Sequence, residues 1–281
     1  MIPTAFDYDV AESLDHAVEL LGKGGGDAKL LAGGHSLIPA LKLRIARPSM
    51  LVDIGRLSDL AYVKDAGTHI AIGALTRHAA AAADPLLQEH CPIVSFTAGQ
   101  IGDPQVRHRG TLGGSISHGD PASDMPAVML ALGAELDVHG SGGTRTILAT
   151  EFFTGVFETA LEPDEVLVEV RVPKLGASTG WAYLKANRRA QDWATVGVAA
   201  LVHRDDGKVA GASIGLVNMG GTPLRARAAE DALAGGASVA DAAALVSEGT
   251  QPPTDQAGSS EYRAHLAQVL ARRALEQAMT T

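Results

Sequence analysis

The sequence has a single cysteine, Cys91, among its 281 residues. One thiol can form no disulfide within the chain, and alone it can build neither an iron–sulfur cluster nor a thiolate zinc site. No run of about 18 apolar residues occurs, which is the length that a membrane-spanning helix needs. The first charged side chain is the acidic Asp7, and the first residues do not show the basic segment followed by an apolar one that is typical of a signal peptide. We therefore expect a cytoplasmic protein with no integral membrane segment.

Positive charge and aromatic side chains are also scarce. Lysine and arginine number 23 against 32 aspartates and glutamates, for a formal net charge of -9. This balance argues against nucleic acid or an anionic membrane as the main partner, although a local basic pocket for a small anion remains compatible with it. Aromatic residues make up 4% and hydrophobic residues 46% of the chain. A sizeable core is expected, built mainly from alanine, valine, leucine and isoleucine.

The first part of the chain mixes helical and strand-like segments. Residues 11–22 are predicted as a helix, because apolar side chains recur at helical spacing, and residues 29–32 as a short strand. Residues 165–172 alternate, with valine at every second position, which predicts a half-buried strand. Residues 102–121 contain several glycines and prolines and no period. They predict a long loop, which inside a compact domain is usually functional.

A glycine- and serine-containing connection over residues 173–180 is the preferred domain boundary. Three strand-like runs follow it, with a hairpin signal, Asp205-Asp206-Gly207, between the last two. The runs are residues 181–186, 195–203 and 209–217, and two alanine-rich helices are predicted near 225–247 and 261–279. The fold class is therefore predicted as α+β, with domains at 1–175 and 176–281. The second domain is expected to hold a three-stranded antiparallel sheet with helices.

Two glycine-rich turns carry the strongest functional signal. They are Ala32-Gly33-Gly34-His35-Ser36, directly after a predicted strand, and Thr111-Leu112-Gly113-Gly114-Ser115. Glycine lets backbone N–H groups approach a phosphate closely and adopts positive φ at little cost. The P-loop pattern and the Gly-x-Gly-x-x-Gly pattern after a strand are both missing. Either turn alone is equally compatible with a tight strand-to-helix connection, so the residues by themselves predict an anion held by backbone amides.

These two segments resemble a known family. AGGHSLIPALKLR (residues 32–44) and RGTLGGSISHGDPASDMP (residues 109–126) are similar to the FAD-binding medium subunits of molybdenum hydroxylases. That family includes the carbon monoxide dehydrogenase medium chain and the xanthine dehydrogenase FAD subunit. The resemblance extends over nearly the whole chain, through DEVLVEVRVP (residues 164–173) and RRAQDWA (residues 188–194). It implies a bipartite α/β FAD-binding domain of the vanillyl-alcohol-oxidase type, followed by a smaller α+β domain.

The resemblance also implies a division of labour. A large partner subunit would carry the molybdenum cofactor, and a small one would carry two [2Fe–2S] clusters, in a dimer of heterotrimers. This chain would hold FAD, take electrons from the clusters and pass them to an external acceptor. The single cysteine agrees, since this chain has no ligands for the clusters. Noncovalent FAD is expected, with covalent attachment through His35 left open.

Site residues follow from the resemblance in the same way. Asp124 would accept hydrogen bonds from FAD hydroxyls, Lys185 would lie near the polar edge of the flavin, and Leu167 would contact the adenine or the flavin edge. Ile101 would pack on the flavin ring, and Trp193 matches an aromatic beside it. The two turns would contribute Ala32, Gly33, Gly34, His35 and Ser36 around the pyrophosphate, and Thr111, Gly113, Gly114 and Ser115 near the phosphate and ribityl chain.

Structural alternatives stand beside each of these roles. Asp124 is placed to cap the helix predicted at 125–132, Lys185 is typical of a solvated charge, and Trp193 of a core residue. His118 with Asp120 is a weak metal pair. No Ser-His-Asp set or carboxylate pair supports hydrolysis, so no catalytic side chain and no metal are predicted. Two other functions stay open: a stand-alone FAD-dependent oxidase or dehydrogenase, and a nonredox nucleotide-binding protein. Substrate and electron acceptor are not determined.

Overall fold

The protein is described by a computed structural model that covers residues 2–206 and 208–281. The strands are β1 Asp7–Val10, β2 Ala28–Leu31, β3 Met50–Asp53, β4 Val63–Asp65, β5 His69–Gly73, β6 Glu135–Gly140, β7 Gly143–Leu148, β8 Phe153–Gly155, β9 Glu158–Thr159, β10 Val166–Pro173, β11 Thr179–Ala186, β12 Val196–Asp205, β13 Lys208–Val217 and β14 Leu224–Arg225. The α-helices are α1 Leu14–Gly24, α2 Leu37–Lys42, α3 His78–Ala83, α4 Pro85–His90, α5 Pro92–Gly99, α6 Pro104–Arg109, α7 Leu112–Ser117, α8 Asp124–Leu132, α9 Ala149–Phe152, α10 Arg227–Ala234, α11 Val239–Ala244 and α12 Ser260–Thr280. Within these residues, no helix is both long and apolar enough to cross a membrane.

The chain up to β10 contains two larger sheets. β1, β3 and β2 form a three-stranded parallel sheet, and β4, β5, β10, β6 and β7 form a five-stranded antiparallel sheet in that order. The predicted alternating strand is β10, which pairs with β5 on one side and β6 on the other. Its valines at 166, 170 and 172 are buried and Val168 is half-buried. The prediction that they share one face was wrong, because a bulge between Leu167 and Glu169 turns the strand: Val166 and Val168 pack in one core cluster, and Val170 and Val172 in another.

The chain from β11 onward forms a four-stranded antiparallel sheet, in the order β11-β12-β13-β14, with three helices after it. The prediction of three strands was wrong by one, because β14 has only two residues and no period can reveal so short a strand. The helix predicted at 225–247 is divided into α10 and α11 by Gly235-Gly236. Asp205 pairs with Lys208, so the predicted hairpin is present, and its Gly207 lies outside the described residues.

The long loop predicted at residues 102–121 was also wrong, because it contains two short helices, α6 and α7. The Asp103 carboxylate accepts from the Val106 N–H at 2.9 Å, and Pro104 follows as the first helical residue. The Thr111 hydroxyl accepts from the Gly114 N–H at 3.1 Å and caps α7. Both helices are six residues long, too short for a hydrophobic period, and the capping residues were the signal that could have revealed them.

Helix α8 joins the two parts of the fold. Every one of its residues is buried, since the five-stranded sheet and the four-stranded sheet both pack around it. One core cluster contains Met125 and Val128 of α8 together with Leu201 and Val217 of the second sheet. β13 approaches α8 so closely that a Cβ on Gly215 would lie 2.0 Å from the Ala127 carbonyl oxygen. The first residue of α8 is therefore held at the junction of the two parts.

We expect Gly215→Ala to destabilise the protein by about 2–3 kcal/mol, because the added methyl group must displace backbone in a packed junction. Gly211→Ala is the matched control on the same strand, since a Cβ there would meet nothing within 4 Å. Urea unfolding of the full-length variants measures both free energies. Equal free energies of unfolding for the two variants would contradict the tight packing of α8 on β13.

Candidate functional site

The two glycine-rich turns lie side by side in the fold. A Cβ on Gly33 would lie 2.4 Å from the Arg109 carbonyl oxygen and 2.8 Å from the Gly110 Cα. The backbone of the first turn thus touches the residues that lead into the second. The Arg77 guanidinium donates to the same Arg109 carbonyl oxygen, which holds this segment in place. Glycine at position 33 is required for the approach, because any side chain would collide with backbone atoms.

The first turn presents a row of unpartnered backbone donors. It connects the end of β2 to the start of α2 and is exposed or half-buried throughout. In the part of the chain that the structure describes, the N–H groups of Gly33, Gly34, His35 and Ser36 donate to no protein oxygen. Gly34 has φ of +76°, which glycine adopts without strain. Consecutive free N–H groups around such a turn form a concavity suited to an anion.

The second turn does not repeat this chemistry. The N–H of Gly113 donates to the Ala74 carbonyl at 2.8 Å, and that of Ser115 to the Thr111 carbonyl at 3.0 Å. The Gly114 N–H donates to the Thr111 hydroxyl oxygen. The expectation that both turns offer backbone amides was therefore wrong for the second. Its glycines serve close packing, since a Cβ on Gly113 would lie 2.5 Å from the Ala74 Cβ.

What the second turn leaves available is side-chain oxygen and bare backbone surface. The Ser115 hydroxyl is half-buried and lies 2.7 Å from the Ser123 hydroxyl. One of the two hydroxyls donates to the other, and the accepting hydroxyl keeps its own hydrogen to donate to a ligand. Gly114 is exposed although its neighbours on either side are not. A ligand can therefore lie against the backbone here while the amides of the first turn hold its anionic part.

A buried histidine supports the segment between the turns. The His78 N–H donates to the Gly110 carbonyl at 3.0 Å, and a Cβ on Gly110 would lie 2.9 Å from the His78 ring. Burial, with Arg107 and Arg77 nearby, lowers the pKa of His78 to about 4. The imidazole is therefore neutral at neutral pH and adds no charge beneath the turns.

This histidine predicts an acid sensitivity. Its pKa is about 4 in the folded chain against an ordinary value of 6.5, so the unfolded chain binds the proton more readily. The stability that neutral His78 allows is present above pH 6.5 and is lost as the pH falls toward 4, by up to about 3 kcal/mol. We expect His78→Gln to remove this part of the pH dependence, and exposed His265→Gln to leave it unchanged. Urea unfolding between pH 7 and pH 4 measures how the free energy of unfolding depends on pH. The same dependence in His78→Gln as in the wild type would refute the role given to His78.

Asp124 and Lys185 form a buried ion pair. Asp124 is the first residue of α8 and Lys185 lies on β11, and their Oδ2 and Nζ atoms are 3.0 Å apart. Their side chains are only 5% and 7% exposed, so the reading of Lys185 as a solvated charge was wrong. The helix-cap reading of Asp124 was also wrong, because Ser123 occupies the cap position. Burial raises the pKa of the Asp124 carboxyl, while Lys185 and the hydroxyl of Tyr183 oppose that rise.

The three other predicted site residues, Ile101, Leu167 and Trp193, differ in burial. Lys185 Nζ lies 3.5 Å from the Gln100 carbonyl oxygen, next to half-buried Ile101. Trp193 is 56% exposed on the segment between β11 and β12, so its reading as a core residue was wrong. Leu167, on β10, is buried in the main core. The structure thus brings Gln100, the residue before Ile101, to Lys185, whereas Leu167 has little surface for a ligand.

A cleft connects the Gln100 region to the segment that carries Trp193. It has a volume of about 290 Å³ and is lined by Gly99, Gln100, Gly102, Asp103, Pro104, Arg107, Ala190 and Gln191. Arg107 closes one wall, donating to the Ile101 and Gly102 carbonyls at 3.0 and 3.1 Å. The exposed Arg188-Arg189 pair precedes the cleft residues on the same segment.

Sequence reasoning missed Tyr183, Gln100 and Ser123, which all contact predicted site residues. Tyr183 carried a usable signal, because it lies two positions before Lys185 on a predicted strand and therefore on the same face. Gln100 and Ser123 act through contacts that no local pattern reveals. The weak metal pair of His118 and Asp120 gains no support. Among residues 2–206 and 208–281, no group of three or more His, Cys, Asp or Glu side chains is placed to hold a metal.

Comparison with protein families gives two matches that together cover almost the whole chain. Residues 4–175 match the FAD binding domain in molybdopterin dehydrogenase. Residues 181–278 match the CO dehydrogenase flavoprotein C-terminal domain. The first match contains both glycine-rich turns and Asp124, and the second contains Lys185 and Trp193. The site therefore draws residues from both matched regions.

Individual relatives agree over their full lengths. The chain is 41% identical to the carbon monoxide dehydrogenase medium chain of Hydrogenophaga pseudoflava, covering 99% of this chain and 98% of the relative. It is 40% identical to the 6-hydroxypseudooxynicotine dehydrogenase complex subunit alpha of Paenarthrobacter nicotinovorans, covering 99% and 96%. A solved structure of the H. pseudoflava carbon monoxide dehydrogenase that lacks the Mo-pyranopterin moiety superimposes with a TM-score of 0.96, at 43% identity and with 100% and 99% of the two chains covered.

Proposed function

The chain belongs to the family of FAD-binding flavoprotein subunits of molybdopterin dehydrogenases, and we propose that its first glycine-rich turn holds the pyrophosphate of that FAD and the Asp124–Lys185 pair its ribityl chain and flavin edge. Family membership confirms the predictions of an oxidoreductase subunit and of FAD as its cofactor. It disfavours both alternatives, the stand-alone flavin enzyme and the nonredox nucleotide-binding protein. The observation that carries the proposed site is the row of free N–H groups from Gly33 to Ser36.

The first turn fits a pyrophosphate. Four consecutive free N–H groups supply donors for anionic oxygens, and the backbone at Gly33 and Gly34 carries no side chain to block their approach. Ala32 and His35 complete this turn. Arg77 and Arg109 lie beside it and add positive charge to a chain whose net charge is -9. That local charge is what an anion needs in an acidic protein.

The remaining site residues fit the uncharged parts of the cofactor. The Ser115 hydroxyl and the bare backbone at Gly114 face the ribityl region, with Thr111 and Gly113 holding that turn in shape. Asp124 accepts hydrogen bonds from ribityl hydroxyls, and Lys185 lies toward the polar edge of the ring. Ile101 and Trp193 are assigned to the flavin ring, and Leu167 is not assigned to the cofactor because it is buried in the main core. When bound, FAD supplies the redox chemistry, and these residues supply binding, orientation and electrostatics.

The FAD domain, residues 1–175, is of the vanillyl-alcohol-oxidase type, and residues 176–281 form the second domain, with the boundary between β10 and β11. The chain works as the medium subunit beside a large molybdenum-cofactor subunit and a small [2Fe–2S] subunit, in a dimer of heterotrimers. Electrons arrive from the clusters and leave to an external acceptor. The buried free thiol of Cys91 suits a reducing, cytoplasmic compartment.

The substrate belongs to the large subunit. Relatives of 41% and 40% identity are named for carbon monoxide and for 6-hydroxypseudooxynicotine dehydrogenation. Nearly equal similarity to both means that this chain does not determine which substrate the complex oxidises.

Co-expression with the two partner subunits tests the function. We expect one FAD per copy of this chain, released intact by acid, and rapid flavin reduction after the clusters are reduced under anaerobic conditions. Absence of flavin absorbance would refute the cofactor assignment. If the flavin is present but is reduced no faster in the complex than in the isolated medium subunit, the electron-transfer role is refuted.

A further inference from the structure

Tyr183 is buried beside the Asp124–Lys185 pair. It lies on β11 two residues before Lys185, so both side chains leave the strand on the same face. Tyr183 is 2% exposed, and its ring belongs to the core shared with α8. Across the sheet, Gly197 pairs with Lys185, and a Cβ there would lie 3.0 Å from the Tyr183 hydroxyl. Glycine at position 197 leaves room for this hydroxyl.

The two oxygens of the Asp124 carboxylate have different donors. The Tyr183 hydroxyl donates to Oδ1 at 2.5 Å, and Lys185 Nζ donates to Oδ2 at 3.0 Å. The carboxylate therefore cannot rotate about its Cβ–Cγ bond without losing one of them. Because the group is buried, water does not readily replace a lost donor. Each oxygen keeps a further lone pair for another donor.

We propose that Tyr183 is a positioning residue of the cofactor site, whose hydroxyl fixes the plane of the Asp124 carboxylate so that its remaining lone pairs meet the hydroxyls of FAD. The inference rests on the proposed role of Asp124. A carboxylate held in advance loses less freedom when the cofactor binds, and this preorganisation appears as affinity. Tyr183 itself need not touch FAD.

A purely structural role for Tyr183 makes a different prediction. A second tyrosine of this chain, Tyr62, donates to Glu169 Oε2 at 2.6 Å, and Glu169 lies on β10 of the five-stranded sheet. Tyr183→Phe and Tyr62→Phe each remove one hydroxyl from a tyrosine–carboxylate bond and keep the ring. Both variants should lower the melting temperature. Only the positioning role predicts that Tyr183→Phe alone weakens FAD binding.

The test uses the full chain assembled with its partner subunits. FAD is removed, then titrated back well below the melting temperature, and binding is followed by the quenching of flavin fluorescence. We expect Tyr183→Phe to raise the dissociation constant about tenfold, the effect of one hydrogen bond to a charged group. Tyr62→Phe should stay within about twofold of the wild type. Equal dissociation constants for the two variants would overturn the inference.

Asp124→Asn separates this inference from the proposal beneath it. If Asp124→Asn weakens FAD binding and Tyr183→Phe does not, Asp124 keeps its role and the positioning role of Tyr183 is wrong. If Asp124→Asn binds FAD as tightly as the wild type, the assignment of Asp124 to the site fails, and the inference fails with it. Weakening in both variants, with Tyr62→Phe unchanged, supports both.

Discussion

Gly33→Val is expected to yield a folded protein that assembles without retaining FAD. The Cβ atom of the new side chain alone would lie 2.4 Å from the Arg109 carbonyl oxygen, and the Arg77 guanidinium also donates to that oxygen. The turn can accommodate valine only by moving away from residues 109 and 110, which separates the two halves of the proposed site. We expect the dissociation constant of FAD to rise by at least about 100-fold, equivalent to about 2.7 kcal/mol.

Gly26→Val is the matched control for this change. Gly26 precedes β2, and a Cβ there would meet nothing within 4 Å. The ratio of flavin to protein absorbance in the purified complex measures retention, and circular dichroism confirms folding. Gly33→Ala provides a graded second variant if valine prevents folding. Normal FAD content in both Gly33 variants would show that the contact between the turns is not part of the cofactor site.

Lys185→Met is expected to give the second large effect, on stability as well as on FAD binding. Removing the ammonium leaves the Asp124 carboxylate buried with the Tyr183 hydroxyl as its remaining side-chain donor. An uncompensated buried charge costs about 3–5 kcal/mol. The pKa of Asp124, already raised by burial, should rise further, since Lys185 is among the groups that oppose the rise. Stability should therefore recover partly at low pH, where the carboxyl is protonated.

The double variant Asp124→Asn/Lys185→Met isolates the charge. Asparagine removes the buried negative charge, so the double variant should be more stable than Lys185→Met alone, while FAD binding stays weak in both. Lys174→Met is the control, because the Lys174–Asp65 pair is 2.6 Å long but its side chains are 26% and 43% exposed. An exposed pair contributes at most about 1 kcal/mol. Urea unfolding that shows equal losses for Lys185→Met and Lys174→Met would contradict the buried pair.

Local patterns were sufficient for much of the fold. The alternation of valines placed β10, and the connection near residues 173–180 separated the two sheets that the structure shows. Apart from the helix predicted at 225–247, which is divided into α10 and α11, the errors in element assignment fell on elements without a period: the two-residue strand β14 and the six-residue helices α6 and α7. Such elements are held by capping side chains and by neighbouring strands, which leave no periodic trace in the sequence.

The sequence indicated the cofactor through its resemblance to a family, because the two glycine-rich motifs that carry the resemblance are runs of adjacent residues; the turns by themselves predicted only an anion held by backbone amides. It could not show that the first turn offers free amides while Ala74 and Thr111 consume those of the second. Only the tertiary structure decided that, because hydrogen-bond partners come from distant segments. The tertiary structure likewise decided that Asp124, whose position suggested a helix cap, and Lys185, which is typical of a solvated charge, form one buried pair. The physical reason is the dense packing around α8, which excludes water, so that a charged group buried there is stable only when it is paired with an opposite charge.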